Sequence, residues 1–254
     1  MRLALPILIL IFLPFYGCKK GEPVELDYSY DVLQTWDHNG SQFIQFESVF
    51  WEPDDTKSLQ KIITDDQEAS GRTVLEIGTG TGLVSVLCLQ SGADKVVATD
   101  INPAAVANAI YNVAMLADDN LFEARQVSKD DPSAYSVLKP NEKFDLIVSN
   151  PPWEDGTVKR PADHAYYDPG FKLMDSILDG LPDRLNVGGR CLLAYGYLPA
   201  VVRLQAEAKK RGYDVKILDD RSLDSLASEF LPGILTEIRV PLGYKKKSVE
   251  KAIP

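Results

Sequence analysis

Two stretches of this sequence place polar residues directly after strand-like apolar runs. In FDLIVSNPPW, residues 144–153, Asn150 ends the run and two prolines and Trp153 follow at once. Proline fixes φ and pushes the preceding residue towards extended geometry, so this stretch forms a rigid corner that can present a side-chain amide. In LEIGTGTGL, residues 75–83, a glycine-rich turn follows Glu76. Glycines in such a turn let a ligand approach the backbone closely.

The glycine turn and the acid after it indicate a cofactor that contains adenosine. Gly78, Gly80 and Gly82 follow one strand, and Asp100 ends the next. Ligands of open α/β sheets bind at the carboxyl ends of strands, where a carboxylate can accept both hydroxyls of a ribose. The spacing is G-x-G-x-G, whereas dinucleotide sites prefer G-x-G-x-x-G. Glu76 before the glycines would repel a pyrophosphate but suits a cationic amino acid moiety, although a nicotinamide-dependent oxidoreductase remains an alternative.

The elements that position these residues alternate between strand and helix patterns from Thr73 onward. This alternation predicts βαβ units and a mostly parallel sheet. The predicted strands are 73–77, 95–100, 124–128, 144–150, 190–197, 214–218 and 236–242. The predicted helices are 83–92, 103–116, about 170–185 and about 199–211, with a further short helix at 56–63 that Asp54 or Asp55 would cap. Residues 22–70 lack the alternation and are predicted to form an N-terminal cap, and 71–243 the main domain.

The first 21 residues are set apart from the folded domain. One arginine precedes an apolar run, residues 3–16, which is shorter than the about 20 residues needed to span a bilayer. The run resembles the apolar region of a signal peptide, and FYGC at its end resembles a bacterial lipoprotein box with Cys18 as the lipidated residue. The box departs from the usual pattern at Phe15 and Tyr16. Membrane attachment through residues 1–18 is therefore an expectation, and an uncleaved anchor or a misassigned start codon are alternatives.

Composition narrows the function without deciding it. The chain has 254 residues, 45% hydrophobic and 25% charged, which is typical of a globular protein, and its formal net charge is -10. This negative balance argues against an extended nucleic-acid binder, which needs clustered Lys and Arg. Three cysteines and two histidines show no metal-binding spacing, so no metal site is predicted. Residues 244–254 form a basic C-terminal tail around Lys245 to Lys247.

Together, VLEIGTGTG, ATDINPAAVANAIYN and FDLIVSNPPW resemble the successive motifs of class I S-adenosylmethionine-dependent methyltransferases. The resemblance covers residues 50–242 and is closest to the branch with an N-P-P-aromatic motif, which methylates exocyclic amino groups of nucleic acids or glutamine amides of proteins. VFWEPDDT, residues 49–56, is similar to the segment before the glycine turn in the glutamine-methylating members. The resemblance implies a Rossmann-like, seven-stranded, mostly parallel sheet with helices on both faces and an antiparallel last strand.

The resemblance also implies an active site at residues 150–153. The side-chain oxygen of Asn150 would accept one N–H of the target nitrogen, and the backbone carbonyl of Pro151 would accept the other. Pro151 and Pro152 would keep the corner stiff. Trp153 would stack on the planar target, as aromatic rings do on bases and amides. The alternative is a rigid turn with Trp153 in the core.

The implied cofactor is S-adenosyl-L-methionine, held along the carboxyl edge of the sheet. The residues expected to contact it are Glu76, Gly78, Thr79, Gly80, Gly82, Asp100, Ile101, Asn102, Ser128 and Asn150. The loop HAYYDPGF, residues 164–171, is expected to shape the acceptor pocket, while Asp168 and Pro169 also fit a helix start.

The leading hypothesis is an enzyme that methylates a planar nitrogen, with a protein glutamine amide ahead of RNA or DNA as the acceptor. Two alternatives stay open at this point: the nicotinamide-dependent oxidoreductase and a non-catalytic envelope lipoprotein of similar fold. Because cells make S-adenosylmethionine in the cytosol, the catalytic domain is expected on the cytoplasmic side or in association with the membrane. The acceptor and the oligomeric state are not given by the sequence.

Overall fold

The computed structural model describes residues 30–221, 223 and 232–245, so the expectations for residues 1–21 and for most of the basic tail lie outside the described residues. The described chain opens with a β-hairpin and continues as a seven-stranded sheet with helices on both faces. The strands are β1 (Val32–His38), β2 (Ser41–Phe46), β3 (Thr73–Ile77), β4 (Lys95–Asp100), β5 (Phe122–Gln126), β6 (Phe144–Ser149), β7 (Leu185–Tyr195), β8 (Asp214–Ile217) and β9 (Ile234–Arg239). The helices are α1 (Lys57–Thr64), α2 (Leu83–Gln90), α3 (Pro103–Leu116), α4 (Lys172–Arg184) and α5 (Leu198–Arg211).

The large sheet has the predicted architecture. Its strand order is β5-β4-β3-β6-β7-β9-β8, in which β9 runs antiparallel to both of its neighbours and all other pairs are parallel. The chain passes from β3 outward to β4 and β5, and then returns to place β6 on the other side of β3. Such a reversal leaves a crevice at the carboxyl ends of the central strands.

Alternate residues of the central strands enter two apolar clusters on opposite faces of the sheet. Leu75 of β3 and Ile147 of β6 belong to the cluster that α4 and α5 cover. Val74 and Leu146 belong to the cluster beneath α1, α2 and α3. All four residues are fully buried. A strand covered on both faces needs a continuous apolar run, which explains why these segments show no polar alternation.

The bounds of several elements differ from the prediction. Strand β5 covers 122–126 rather than 124–128, because Phe122 pairs with Val96 and the chain turns away after Val127. Strand β7 begins at Leu185 rather than at 190, and β9 covers 234–239 rather than 236–242. Neither Asp54 nor Asp55 caps α1; a 3-10 turn, Pro53–Thr56, precedes the helix, and Thr56 occupies its N-cap position.

The N-terminal hairpin was not predicted. Asn39 and Gly40 form a two-residue loop between β1 and β2 with φ of 52° and 80°, the backbone that joins the strands of a tight hairpin. The Asn-Gly dipeptide between strand-like runs is a strong hairpin signal, and it could have located this element. The division of the chain at residues 21, 70 and 243 stays a prediction.

Two buried asparagines of α3 hold the hairpin on the main domain. Asn108 accepts a hydrogen bond from the Phe46 N–H at 2.8 Å and donates one to the Ile44 carbonyl at 2.8 Å. Asn112 accepts from the Ile44 N–H at 2.9 Å and donates to the carbonyls of Ile44 and Thr81, each at 2.8 Å. These amides satisfy the outer backbone edge of β2 as a neighbouring strand would. We call this pair of residues the α3 clamp.

Among the helices that the structure describes, none combines the length and the apolar composition needed to cross a bilayer.

Candidate active site

A cavity of about 350 Å³ lies at the carboxyl ends of β3, β4 and β6. Four segments wall it: the chain that leaves the hairpin (48–56), the glycine turn, the ends of β4 and β5, and the loop between β6 and α4. These segments are far apart in sequence, and the reversal of strand order brings them together. The cavity is therefore in the position where an open α/β sheet binds its ligand.

The glycine turn forms the floor of the cavity. Gly78, Thr79 and Gly80 line it, and the N–H groups of Gly78 and Thr79 donate to the Thr99 carbonyl at 2.8 and 3.1 Å. Gly82 does not line the cavity. Its φ is 81°, and a Cβ atom there would lie 2.8 Å from Cα of Ala109, so this glycine allows α2 and α3 to pack closely.

Glu76 places a buried carboxylate at the end of β3. Its side chain faces the cavity, only 3% of the residue is exposed, and it accepts hydrogen bonds from the hydroxyls of Thr79, at 2.8 Å, and Ser85. Burial raises the pKa of Glu76 to about 7, and the negative charge of Asp100 acts in the same direction. A cationic group bound beside this carboxylate would favour its ionised form. The surroundings of Glu76 therefore suit a positively charged ligand.

Asp100 lies at the end of β4 and lines the same cavity. Its two oxygens accept the N–H groups of Gly80 at 3.0 Å and Asn102 at 2.8 Å. Burial raises the pKa of Asp100, although the backbone N–H groups around it act in the opposite direction. Each carboxylate oxygen has about two acceptor positions, so both retain one for a ligand. This arrangement fits a ribose diol.

Three other residues expected to contact the cofactor, Ile101, Asn102 and Ser128, differ in their placement. Ile101 and Asn102 line the cavity. Asn102 also caps α3 by accepting the Ala104 N–H at 3.1 Å, and it donates to the Ser48 carbonyl at 2.8 Å. Ser128 lies outside the cavity and is exposed, because the chain turns there through a bridge to Asp131. Val127 lines the cavity instead, together with residues 132–134.

The proline corner follows β6 as predicted. Asn150 and Pro152 line the cavity, so Asn150 shares one space with Glu76 and Asp100. Pro151 is buried and is not among the cavity-lining residues. The hydroxyl of Ser149, the last residue of β6, donates to the Ile77 carbonyl at 2.5 Å and joins the ends of β6 and β3. The corner therefore starts from a fixed strand end.

Trp153 does not face the cavity. Its ring is partly buried against the apolar cluster between the sheet and α4 and α5. The indole N–H donates to Oδ1 of Asn150 at 3.0 Å and to the Ala194 carbonyl at 3.2 Å. The position of the ring agrees with the alternative that put Trp153 in the core rather than with stacking on the target.

The loop between β6 and α4 forms the wall opposite the glycine turn. His164, Tyr167 and Asp168 line the cavity, as the prediction for residues 164–171 requires. Asp168 is 2% exposed, and its carboxylate accepts the N–H groups of Leu173 at 2.9 Å and Met174 at 3.0 Å, so it caps the start of α4. Burial and the positive charge of Lys129 lower the pKa of His164.

Sequence analysis did not identify the aromatic residues that the N-terminal segment contributes. Phe50 and Trp51 line the cavity, and Phe50 packs edge-on against Tyr166 with ring centroids 5.5 Å apart. Trp51 stacks on Trp36 of β1 at 5.9 Å. The resemblance marked VFWEPDDT as the segment before the glycine turn, but aromatic residue type alone does not distinguish a cavity wall from a core.

Comparison with known proteins gives a consistent set of relatives. The family model for ribosomal protein L11 methyltransferases matches residues 56–151. A putative protein N5-glutamine methyltransferase of Methanocaldococcus jannaschii is 30% identical over 181 residues, which are 66% of this chain and 83% of that protein. A release factor glutamine methyltransferase of Cereibacter sphaeroides is 36% identical over 136 residues, 49% of this chain and 46% of that protein. A tRNA1(Val) (adenine(37)-N6)-methyltransferase of Bacteroides fragilis is 36% identical over 94 residues, 37% and 38% of the two chains.

The solved structures agree on the fold. A putative methyltransferase complexed with SAH superposes with a TM-score of 0.60 at 15% identity, over 82% of this chain and 57% of that one. The chain belongs to the class I S-adenosylmethionine-dependent methyltransferases, in the branch of N-methyltransferases that includes the putative protein N5-glutamine methyltransferase. It is therefore an enzyme whose cofactor is S-adenosyl-L-methionine, and neither the oxidoreductase nor the non-catalytic lipoprotein is supported.

Proposed function

We propose that this protein methylates the side-chain amide nitrogen of glutamine in a protein. The observation that carries the proposal is the position of Asn150, which lines the cavity that Glu76 and Asp100 also line. The enzyme thus holds a hydrogen-bonding group for a planar nitrogen in the space where the two acids suit a cationic nucleoside.

The cofactor is held by residues whose surroundings match its parts. Asp100 retains acceptor positions for a ribose, and Glu76 lies where a positive charge would favour its ionised form. When bound, S-adenosylmethionine supplies a methyl group on a sulfonium, so its C–S bond breaks as the C–N bond forms, a neutral thioether leaves and the nitrogen releases one proton. The chain's contribution is to hold and orient the acceptor.

An amide nitrogen is a weak nucleophile because its lone pair is conjugated with the carbonyl. Oδ1 of Asn150 accepts the Trp153 N–H and retains a second acceptor position for one N–H of the acceptor. Pro151 does not line the cavity, so the second bond expected from its carbonyl is not part of this proposal. The bond to Asn150 would orient the nitrogen with its lone pair directed at the methyl group. The flanking prolines keep this corner from relaxing.

Two observations favour a protein acceptor. The relatives from M. jannaschii and C. sphaeroides are named for glutamine methylation. The net charge of -10 opposes extended contact with a phosphate backbone. A second candidate is an exocyclic amino group of RNA, because the B. fragilis relative is named for tRNA adenine. Both acceptors present a planar nitrogen with two N–H groups, so the same corner serves either.

The test measures transfer of labelled methyl from S-adenosylmethionine to three probes by the full chain. The probes are acetyl-Gly-Gln-Gly-amide, its Asn counterpart as the matched control, and an adenosine-containing oligoribonucleotide. We expect label in the Gln peptide alone. Asn150→Ala should abolish transfer while cofactor binding, measured by calorimetry, is retained. Label in the oligonucleotide alone would establish the second candidate, and equal loss of binding and transfer in Asn150→Ala would contradict the role of Asn150.

We further propose that the catalytic domain faces the cytosol, where its cofactor is made, and that residues 1–18 attach it to the membrane. The proposal depends on the apolar run, residues 3–16, acting as an uncleaved anchor, whereas lipidation of the imperfect lipoprotein box at Cys18 would favour export. Metabolic labelling with a radioactive fatty acid tests it, with Cys18→Ser as the control. Label that depends on Cys18 would show export and would contradict the cytosolic placement.

A further inference from the structure

Trp153 lies behind the catalytic corner and holds it from the side of the core. Its ring packs against the cluster beneath α4 and α5, and it is not among the residues that line the cavity. A side chain in this position cannot stack on an acceptor that enters the cavity. Its effect on the reaction must pass through a residue that does face the cavity.

The indole N–H provides that connection. It donates to Oδ1 of Asn150 at 3.0 Å and to the Ala194 carbonyl at 3.2 Å. Ala194 belongs to β7, is 1% exposed, and pairs with Leu235 of β9. The Ala194 carbonyl therefore holds the indole N–H against the interior of the sheet. The same N–H contacts the side chain of Asn150, which the proposed reaction requires.

A fixed donor determines which way the Asn150 amide faces. With its oxygen toward the indole N–H, the amide makes a hydrogen bond, whereas the flipped amide would place two donors against each other. The contact also restricts rotation of the side chain, since the indole ring itself is held by packing. A group held in one orientation before the acceptor binds pays no ordering cost during the reaction.

We propose that Trp153 is a positioning residue that fixes the orientation of the Asn150 amide, and that Phe50, rather than Trp153, contacts the planar face of the acceptor. This inference rests on the proposed function. Phe50 is assigned the second role because it lines the cavity and its ring is braced edge-on by Tyr166 at 5.5 Å. The two aromatic residues should therefore affect different kinetic constants.

The kinetic test uses the full chain with acetyl-Gly-Gln-Gly-amide as the acceptor. Trp153→Phe keeps an apolar ring and removes the N–H, and replacement of Trp153 by 3-benzothienylalanine removes the N–H at nearly constant shape. We expect kcat to fall about 10- to 100-fold in both, because a misplaced reacting group costs rate rather than affinity. The peptide KM and the cofactor Kd should stay within about two-fold of the original enzyme. Phe50→Ala should show the opposite pattern, a raised peptide KM with kcat largely retained.

Two kinetic results would overturn the inference. An unchanged kcat in the benzothienyl variant would show that the N–H has no role. A raised peptide KM with normal kcat in Trp153→Phe would show that Trp153 stacks on the acceptor after all.

A second measurement separates this inference from the proposed function. The indole ¹⁵N–H signal of Trp153, assigned by its loss in Trp153→Phe, reports the contact without turnover. We expect Asn150→Ala to shift this signal and to speed its exchange with solvent, while the signals of Trp36 and Trp51 stay in place. An unmoved signal overturns the inference whether or not the peptide is methylated. If the signal shifts but the enzyme methylates none of the probes, the contact between Trp153 and Asn150 is supported and the proposed function is rejected.

Discussion

At the scale of single residues, the site depends on two acids that the fold keeps from full hydration. Glu76 and Asp100 end neighbouring strands, and burial raises the pKa of each. Without a ligand, this is an unfavourable arrangement, because burial disfavours both charges and the charge of Asp100 further disfavours that of Glu76. A cationic ligand favours the ionised form of these carboxylates. This interaction contributes to the binding free energy independently of any contact with the adenine.

A stability measurement tests the state of Glu76. Its pKa is raised from the usual 4.5 to about 7, so the folded protein holds a proton that the unfolded chain releases. The free energy of unfolding therefore falls as pH rises from about 4.5 to about 7. Glu76→Gln should remove this loss, which amounts to about 3 kcal/mol at pH 8. Urea unfolding of both proteins at pH 5 and pH 8 measures it.

Glu47→Gln is the matched control for that measurement, because Glu47 is exposed and lies outside the cavity lining. It should leave the pH dependence unchanged. If Glu76→Gln and the original protein lose stability in parallel between pH 5 and pH 8, Glu76 is already ionised in the folded state at pH 5.

At the scale of elements, the α3 clamp joins the hairpin to the catalytic domain. Both asparagines are fully buried, and their amides bond only to backbone groups. The chain that leaves the hairpin then forms one wall of the cavity, from Ser48 to Thr56. A substitution in the α3 clamp should therefore weaken cofactor binding, although neither asparagine lines the cavity.

Asn108→Ala tests this connection. It leaves the Phe46 N–H buried without its partner, which costs about 1–3 kcal/mol of unfolding free energy. We also expect weaker binding of S-adenosylmethionine in calorimetry, because residues 48–56 lose their anchor. Asn120→Ala is the control: Asn120 bonds to Asp118 in an exposed turn, so its loss should change stability by less than about 0.5 kcal/mol. Full cofactor affinity in Asn108→Ala would show that the wall is held by other contacts.

Elements with local signals were predicted well from the sequence. The bounds of α3 agree with the prediction because Asn102 caps the helix and Pro103 starts it, and both effects are local. The Asn39-Gly40 hairpin was missed because only the alternation of strands and helices was followed. The direction of Trp153 could not be predicted, since it depends on the carbonyl of Ala194, which follows Trp153 by 41 positions. Ser128 was misplaced because β5 begins and ends two residues earlier than its apolar pattern suggests.

At the scale of the whole molecule, cofactor binding should stabilise the fold as one unit. The cavity is built from segments between residues 48 and 173, so a ligand in it ties the hairpin, the sheet and the loop before α4 together. With free S-adenosylmethionine at about 100 times its Kd, the free energy of unfolding should rise by about 2.7 kcal/mol. The midpoint of thermal unfolding should rise by several degrees.

Scanning calorimetry of the full chain with and without S-adenosylmethionine provides the measurement. Asp100→Asn is the matched variant, because it keeps the shape of the side chain and loses its charge. The rise should shrink markedly in this variant. The midpoint without ligand should also fall, because the amide nitrogen faces one of the two backbone N–H groups that the carboxylate accepts. An equal rise in both proteins would place the ribose away from Asp100.

The α3 clamp also bears on how this enzyme could acquire a different acceptor. Asn108 and Asn112 recognise carbonyl and N–H groups, which every residue except proline carries, and so they place no demand on the side chains of the strand they hold. A hairpin of different sequence, grafted between residues 31 and 47, would keep these backbone contacts if it retained the buried apolar residues Phe43 and Phe46. The exposed positions of the hairpin can thus vary beside the cavity wall of residues 48–56 while the catalytic domain stays the same.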